Sequence, residues 1–391
     1  MTHPRDGGGS QSRVLVTDGE FKHTLGIARA LALRGHEVHL LARSGRAPAA
    51  HSRAVAECHL GPSPGDPAYD DWLMGILSAL APVSLLPVGS ATMAAAHRLR
   101  GRFPAGANVA LPPPASFEAA NEKARAALMA RAIGVATPDE RLVGSEAEAL
   151  AALRALGLPL VLKSAREEGR KVLRYVRAES ELAEAFATLR TLTGGALLAQ
   201  RYIEGDGFGF SALYWNGRRM RHCMHRRLRE WPPSGGTSAC AESLPEAPEL
   251  ERAGTALLDA LQWHGVAMVE FKGALAPGEL SLMEVNAKFW GSHDLALAAG
   301  VDFPGDLVAL LEGQRLGPQA PVKRVRFSWP LGGDLWHGLF RPADLPRVLW
   351  DAISPAVAHN YRLDDPLPHV FELMQWARSF PGALREAREL R

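Results

Sequence analysis

The chain has 391 residues, 47% hydrophobic and 22% charged, enough for two or three packed lobes at roughly 100–200 residues each. Its 44 Lys and Arg stand against 42 Asp and Glu, so the whole-chain field gives no push toward nucleic acid or a membrane surface. The three cysteines, Cys58, Cys223 and Cys240, show no CxxC and no His at ligand spacing, which argues against a disulfide framework or a zinc site and fits a reducing cytoplasm.

Residues 1–12 (MTHPRDGGGSQS) are polar and glycine-rich and predict a loose tail without the apolar stretch of a signal peptide. No apolar run approaches the ~20 residues of a membrane helix. Residues 14–16 (VLV) predict a strand. A helix carrying Leu25, Ile27, Ala28, Ala30, Leu31 and Leu33 follows and stops at Gly35, and residues 36–41 (HEVHLL) predict the next strand. Strand, helix and strand joined by short turns imply a right-handed crossover and parallel pairing. A helix around 72–80, a strand at 84–88 and a helix opened by Gly89-Ser90 repeat the unit, giving a small doubly wound sheet. GxGxxG after the first strand and GxxxxGK[ST] are both missing, which removes the main support for a dinucleotide fold or a P-loop.

Pro112-Pro113-Pro114 marks a boundary, because consecutive prolines neither continue a helix nor donate to a sheet. Ser116 is expected to cap a helix running to about Arg131, ended by Gly134 and Pro138. Helix, strand and helix follow at 146–156, 159–163 and 180–191. From Ala196 the texture turns to strands: 197–203, 210–215, 218–229, 265–271 and 280–285. The last leads through Gly291-Ser292 into a helix ending at Gly300, then a helical stretch and a proline-broken tail. The resulting division is a tail (1–12), an α/β domain (13–112), a larger α+β domain (113–312) with a subdomain at about 140–200, and a helical C-terminal extension (313–391). The chain contains no internal repeat.

The two late strands carry the chemistry. Alternation puts Val266, Met268 and Glu270 on one face and Leu282, Glu284 and Asn286 on one face of the next strand, with residues 274–279 (ALAPGE) as the connecting loop. A hairpin symmetric about Pro277 sets Glu270 opposite Glu284. Facing carboxylates repel and resist joint ionisation in an apolar sheet, and a divalent cation removes the penalty. Two carboxylates and an amide carbonyl are hard oxygen ligands suited to Mg²⁺. An edge hairpin with both glutamates in solvent fits the same spacing. Lys288, two residues past Asn286, is placed to reach a phosphate held by the same ion, or is a surface lysine. Gly291-Ser292 opens a helix whose amides form an anion site.

Residues 283–304 (MEVNAKFWGSHDLALAAGVDFP) resemble the metal-binding signature of the ATP-grasp superfamily, most closely its carbamoyl-phosphate-synthase-like carboxylate–amine ligases. Further segments resemble the family in the same order: NEK (121–123), PLVLKS (159–164), LLAQRYIEGDGFG (197–209), HRRLREWPPSGGTS (225–238) and WHGVAMVEFK (263–272). VLVTDG (14–19) with LLPVGS (85–90) resembles the preceding domain of that family, so the resemblance covers nearly the whole chain from about Arg13. It implies a pre-ATP-grasp domain, an ATP-grasp fold of two α+β lobes clasping ATP, and a C-terminal extension.

The resemblance also implies roles. Lys123 and Lys163 contact ATP phosphates, and residues 167–171 (EEGRK) form the loop closing over them, with Lys171 compensating for the single Gly169. Gln200, Arg201, Tyr202 and Ile203 line the adenine mostly through backbone, with Glu204 or Asp206 replacing the family's ribose-binding Glu. Glu270, Glu284 and Asn286 hold one or two Mg²⁺, with Mn²⁺ as an alternative. Lys288 stands where many relatives have Arg, a point charge in place of a fork, and Ala287 replaces a common Pro.

Residues 218–229 (RRMRHCMHRRLR) are basic but lack a stacking platform and run into Pro232-Pro233, so nucleic acid is not the expected partner. In the family reading Arg226 or Arg227 faces the active site, and Gly235, Gly236, Thr237 and Ser238 offer backbone amides to an anionic substrate. The expected activity is ADP-forming ligation of a small-molecule carboxylate to an amine through an acyl phosphate, in the cytoplasm; the oligomeric state is open between a monomer and the homodimer that many relatives form. A phosphotransferase of the carbamoyl-phosphate-synthase type and a non-catalytic nucleotide-binding regulator are the alternatives.

Overall fold

The computed structural model describes residues 12–166, 172–233 and 235–389. The first domain is a parallel sheet in the order β3-β2-β1-β4-β5, built from β1 (Arg13–Val16), β2 (Glu37–Ala42), β3 (Glu57–Leu60), β4 (Val83–Leu86) and β5 (Ala107–Asn108). The helices α1 (Lys22–Leu33), α2 (Tyr69–Leu80) and α3 (Ser90–Arg98) connect these strands. Both sheet faces are covered, as parallel sheets require. Leu15 and Leu41 pack with Leu73 and Leu77 of α2, while Val14, Val16, Val38 and Leu40 pack with Leu25, Ile27 and Leu31 of α1.

The triple proline begins a helix. Pro114 occupies the first turn of α4 (Pro114–Asn121), where its missing N–H costs nothing. The single helix expected from Ser116 to about Arg131 is two helices, since Glu122 leaves the helical region and α5 (Lys123–Ala132) starts afresh. The break has a tertiary cause. Glu122 bridges to Arg166, and the Lys123 amide donates to the Ala165 carbonyl at 3.1 Å.

A smaller lobe follows, with β6 (Glu140–Val143), α6 (Glu146–Leu156), β7 (Leu160–Ser164), β8 (Leu173–Val176), α7 (Leu182–Thr193) and β9 (Leu197–Arg201). Its antiparallel sheet has the order β6-β9-β7-β8, packed on α6 and α7 through Leu153, Leu162, Phe186 and Leu197.

The remaining chain builds a seven-stranded sheet in the order β14-β13-β10-β11-β12-β15-β16. Its strands are β10 (Asp206–Trp215), β11 (Arg218–Trp231), β12 (Thr237–Leu244), β13 (Gly265–Gly273), β14 (Leu280–Asn286), β15 (Arg326–Ser328) and β16 (Val357–His359). The helices are α8 (Pro248–Ala260), α9 (His293–Ala298), α10 (Phe303–Leu311), α11 (Leu335–Phe340), α12 (Leu345–Ile353) and α13 (Leu367–Glu389). One face buries Phe208, Phe210 and Phe271 against Leu250 and Leu257 of α8, each such ring contributing roughly 1.5–3 kcal/mol. The other face shares a core with the first domain, where Leu213, Met268, Phe289 and Phe303 meet Val16 and Leu31.

Two features depart from the expected division. The C-terminal extension is not only helical, since β15 pairs antiparallel with β12 and β16 pairs parallel with β15. It is also bolted to its neighbours by ions. Arg229 donates to Asp334 at 2.6 and 2.7 Å and to Asp351 at 2.8 Å, and Arg29 of α1 donates to Asp365 at 2.9 Å. Second, α1 lies close on α9 because Gly26 has no side chain, and a Cβ there would overlap the Asp294 carboxylate. Among the described residues no helix is long and apolar enough to cross a membrane.

Candidate functional site

The site lies in a cleft of about 770 Å³ between the smaller lobe, the seven-stranded sheet and the loops at the carboxyl ends of the first domain's strands. Its floor is the β13–β14 hairpin. Gly273 pairs with Leu280, so the hairpin is centred before Pro277, and a bulge at Met283 adds the one residue that brings Glu270 opposite Glu284. The bulge also reverses the alternation. Leu282 packs into the apolar core, whereas Met283, Glu284 and Asn286 line the cleft, so the expected grouping of Leu282 with Glu284 does not occur.

Cations answer the two carboxylates. The Arg227 guanidinium pairs with Glu270 and donates to Glu230 at 3.2 Å, and Asn286 Nδ2 donates to Glu270 Oε1 at 3.0 Å. Lys123, placed at the start of α5 by the break at Glu122, lies 3.7 Å from Glu284. Burial and the neighbouring Glu284 push the Glu270 carboxyl above the usual range against the pull of Arg227. Burial acts the same way on Glu284, but Lys123, Lys163 and Lys288 outweigh it and hold that group low. Arg227 is held charged by Glu270 and Glu230, and its Nε is buried with no hydrogen-bond partner among the described residues.

The smaller lobe supplies the roof. Lys163, nearly at the end of β7, is buried and donates to Gln200 Oε1 at 3.1 Å, while Gln200 Nε2 donates to Glu140 at 3.0 Å. Gln200 thus positions Lys163 by its side chain, a role beyond the backbone one expected for it. Burial, with Lys123 nearby, lowers the Lys163 ammonium to about 8. Arg201, Tyr202, Ile203 and Asp206 line the same end of the cleft. The Arg201 and Tyr202 amides are engaged by the Asp139 and Pro159 carbonyls, and Tyr202 receives Lys272 both at its hydroxyl (3.3 Å) and over its ring (4.3 Å). Lys288 donates to Ser90 Oγ of the first domain, tying the hairpin's exit to the carboxyl end of β4.

Several expectations are corrected. Arg226 does not line the cleft. It points to the opposite sheet face, paired with Glu242 at 2.5 Å and Asp206 at 3.5 Å, because neighbours on a strand alternate sides. Gly235, Gly236, Thr237 and Ser238 do line the cleft, but the first two amides are committed, Gly235 to the Pro232 carbonyl and Gly236 to Glu230 Oε2, both at 3.1 Å. They are therefore not open donors for an anion. Lys171 and the rest of residues 167–171 lie outside the described residues.

Lys22, His225, Glu230, Ser90 and His337, which carry no expected site role, also stand on the cleft wall or against it, beside the expected Ser292. Lys22 donates to the Ser238 carbonyl at 2.9 Å and sits 4.7 Å over the Trp329 ring, and burial lowers it to about 8 against the pull of Asp294. His225 reaches Ser292 Oγ at 3.3 Å across the space left by Gly209, where a Cβ would overlap its ring. A signal existed for Lys22 and Ser90, since ligands of open parallel sheets lie beyond the carboxyl ends of the strands.

The donor set fits a hard divalent ion. Two carboxylates and an amide carbonyl converge in a cleft, one carboxylate is reluctant to ionise alone, and lysines stand ready for an anion that would share the ion.

No family model matches the chain. It is 30% identical over 200 residues to a D-alanine–D-alanine ligase of Verminephrobacter eiseniae, covering 46% of this chain and 60% of that protein. The chain therefore spans less than two thirds of the curated relative's length. The fold is similar to a biotin carboxylase of Campylobacter jejuni described as a β-γ-ATP complex, with a TM-score of 0.65 and 15% identity over 80% of this chain and 73% of that one. It is also similar to the biotin carboxylase domain of a Hydrogenobacter thermophilus 2-oxoglutarate carboxylase, a dimer in complex with MgADP, ADP and bicarbonate. There the TM-score is 0.64 and identity 19%, over 80% of this chain and 72% of that one. At these identities the structural likeness establishes the shared fold.

Proposed function

We propose that the chain is an enzyme of the ATP-grasp superfamily, ADP-forming, that activates a small-molecule carboxylate as an acyl phosphate and couples it to an amine, a reading supported by the likeness to a D-alanine–D-alanine ligase and by the shared fold. The observation that carries the reading is the Glu270–Glu284 pair with Asn286 on the cleft floor, surrounded by Arg227, Lys123, Lys163 and Lys288. Glu270, Glu284 and Asn286 would hold one or two Mg²⁺, or Mn²⁺, which when bound offsets phosphate charge. Each remaining role belongs to the chain itself.

Lys163, held by Gln200, and Lys123 bind the phosphate tail of ATP. The acid's oxygen attacks the γ-phosphorus and the bond to the β-phosphate oxygen breaks, releasing ADP. Lys288 and Arg227 neutralise the negative charge that spreads over the transferred group. The amine then attacks the acyl carbon, phosphate leaves, and an amide and a proton result. The smaller lobe keeps water from an intermediate that would otherwise hydrolyse.

A second reading is favoured by the fold likeness to biotin carboxylases. In it the acid is bicarbonate and the product a carboxylated acceptor. The first half-reaction is the same, and the arms of one experiment separate the readings. ADP release is screened over pools of carboxylic acids, with and without amines, beside a bicarbonate arm, and products are weighed by mass spectrometry. Amide products support ligation, and bicarbonate-dependent carboxylated products support the second reading. AMP and pyrophosphate would overturn both.

A further inference from the structure

Scarce cysteines argue against a zinc site, yet the first domain assembles a different set of metal-binding side chains, none of which lines the cleft. β2 and β3 pair in parallel with His39 opposite Glu57 and Leu41 opposite His59, so Glu37, His39, Glu57 and His59 project from one sheet face. His39 Nδ1 lies 3.1 Å from His59 Nε2, with the rings stacked at 5.4 Å between centroids and 17° between planes. Glu57 Oε2 is 3.7 Å from His39 Nδ1, and donor atoms of the three residues all lie within 4.8 Å of one another.

We propose that His39, His59 and Glu57 form a binding site for a divalent transition-metal ion of the Zn²⁺ class. Three features suit an ion at this pair. First, nitrogens about 2.0–2.1 Å from a tetrahedral ion stand roughly 3.3 Å apart, close to the spacing of the two ring nitrogens. Second, the other ring nitrogen of His39, Nε2, lies 3.1 Å from Glu37 Oε1. A carboxylate on the far nitrogen fixes the tautomer with the Nδ1 lone pair aimed at the site, the usual support for a metal-bound imidazole. Glu37 is in turn held by Arg13 at 3.6 Å. Third, the two glutamates bring negative charge to a site whose His39 is buried, which favours a cation. Imidazole donors select Zn²⁺, Cu²⁺ or Ni²⁺ over Mg²⁺, so this site and the cleft hairpin would take different ions. Three protein donors leave a position for water. The ion would fasten the short edge strand β3 to β2.

The test uses the full chain stripped with a chelator and kept in excess Mg²⁺, so that the cleft carboxylates are occupied. Zn²⁺ is titrated by calorimetry, and Co²⁺ by its visible absorption. The expected result is one ion per chain, with the dissociation constant raised tenfold or more by His59→Asn and by Glu57→Gln, and about tenfold by Glu37→Gln. Glu284→Gln leaves it unchanged. Zn²⁺ also raises the melting temperature of the wild type and not of His59→Asn. Because His39 is buried and its replacement risks the fold, the partly exposed His59 carries the decision. No Zn²⁺ binding, binding unaltered in His59→Asn, or binding lost in Glu284→Gln would overturn the proposal.

Discussion

Glu270 and Glu284 are direct cross-strand partners on the cleft floor, yet their environments are opposite. Glu270 is met by one guanidinium from β11, and Glu284 by lysines from α5, β7 and the segment after β14. The pair therefore divides the cleft, with Arg227 on one side and Lys123, Lys163 and Lys288 on the other.

Replacing either carboxylate should remove turnover while sparing the fold. For Glu270→Gln and Glu284→Gln we expect ADP release to fall by about a thousandfold or more, in line with the loss of a main electrostatic group. Each amide fills the same volume, so circular dichroism should stay close to wild type, while Glu270→Gln leaves the buried Arg227 with Glu230 alone and should lower the melting temperature. Initial-rate measurements with saturating ATP check this.

Arg226 and Arg227 are adjacent in sequence and should behave differently. Arg227→Ala removes the partner of Glu270 inside the cleft and should lower kcat/KM roughly a hundredfold or more. Arg226→Ala breaks a half-exposed pair with Glu242, which is worth about 0–1 kcal/mol, and should leave kinetics nearly unchanged. Parallel kinetics of the two variants distinguish them.

Lys163 predicts a pH dependence of ATP affinity. Its ammonium sits near 8 when the cleft is empty of phosphate, because burial disfavours the charge. Bound phosphate favours the charge, so binding above pH 8 must take up a proton. Each unit costs about 1.36 kcal/mol, and the dissociation constant should rise up to tenfold per unit between pH 8 and 10. Lys163→Arg, charged throughout, should flatten that slope. Binding titrations across the range check it.

How much of this was legible in the sequence depends on the distance over which the cause acts. The opposition of Glu270 to Glu284 followed from period-two alternation and a Pro-Gly loop, although the symmetry assumed about Pro277 arises from an off-centre turn plus a bulge at Met283. Neither that bulge nor the helix break at Glu122 carries a residue-type signature, since the break is made by a bond to Ala165. The choice between Arg226 and Arg227 was open because β11 bulges between Arg227 and Glu230, which blurs alternation there. The strands β15 and β16 are three residues each, too short for a periodic signal. His39 and His59 meet only through the parallel register of β2 and β3.

Asp294 predicts a stability effect. Its carboxyl is buried, accepts from Trp329 Nε1 at 2.9 Å, and is raised by burial to about 7. The folded state thus holds a proton that the unfolded chain releases near pH 4. That contribution is present below pH 4 and lost as pH rises to 7. Asp294→Asn keeps an acceptor for Trp329 without the charge. It should gain stability relative to wild type at pH 8 compared with pH 5, by an amount on the order of 1–4 kcal/mol. Urea unfolding at both pH values measures it.

The most direct measurement of the central claim is ATP binding by calorimetry with Mg²⁺ and with the metal removed, in wild type and Glu284→Gln. The account predicts that wild type binds ATP far more tightly with Mg²⁺, and that Glu284→Gln loses most of that difference. Equal affinity with and without metal in the wild type, or an undiminished metal effect in Glu284→Gln, would contradict it.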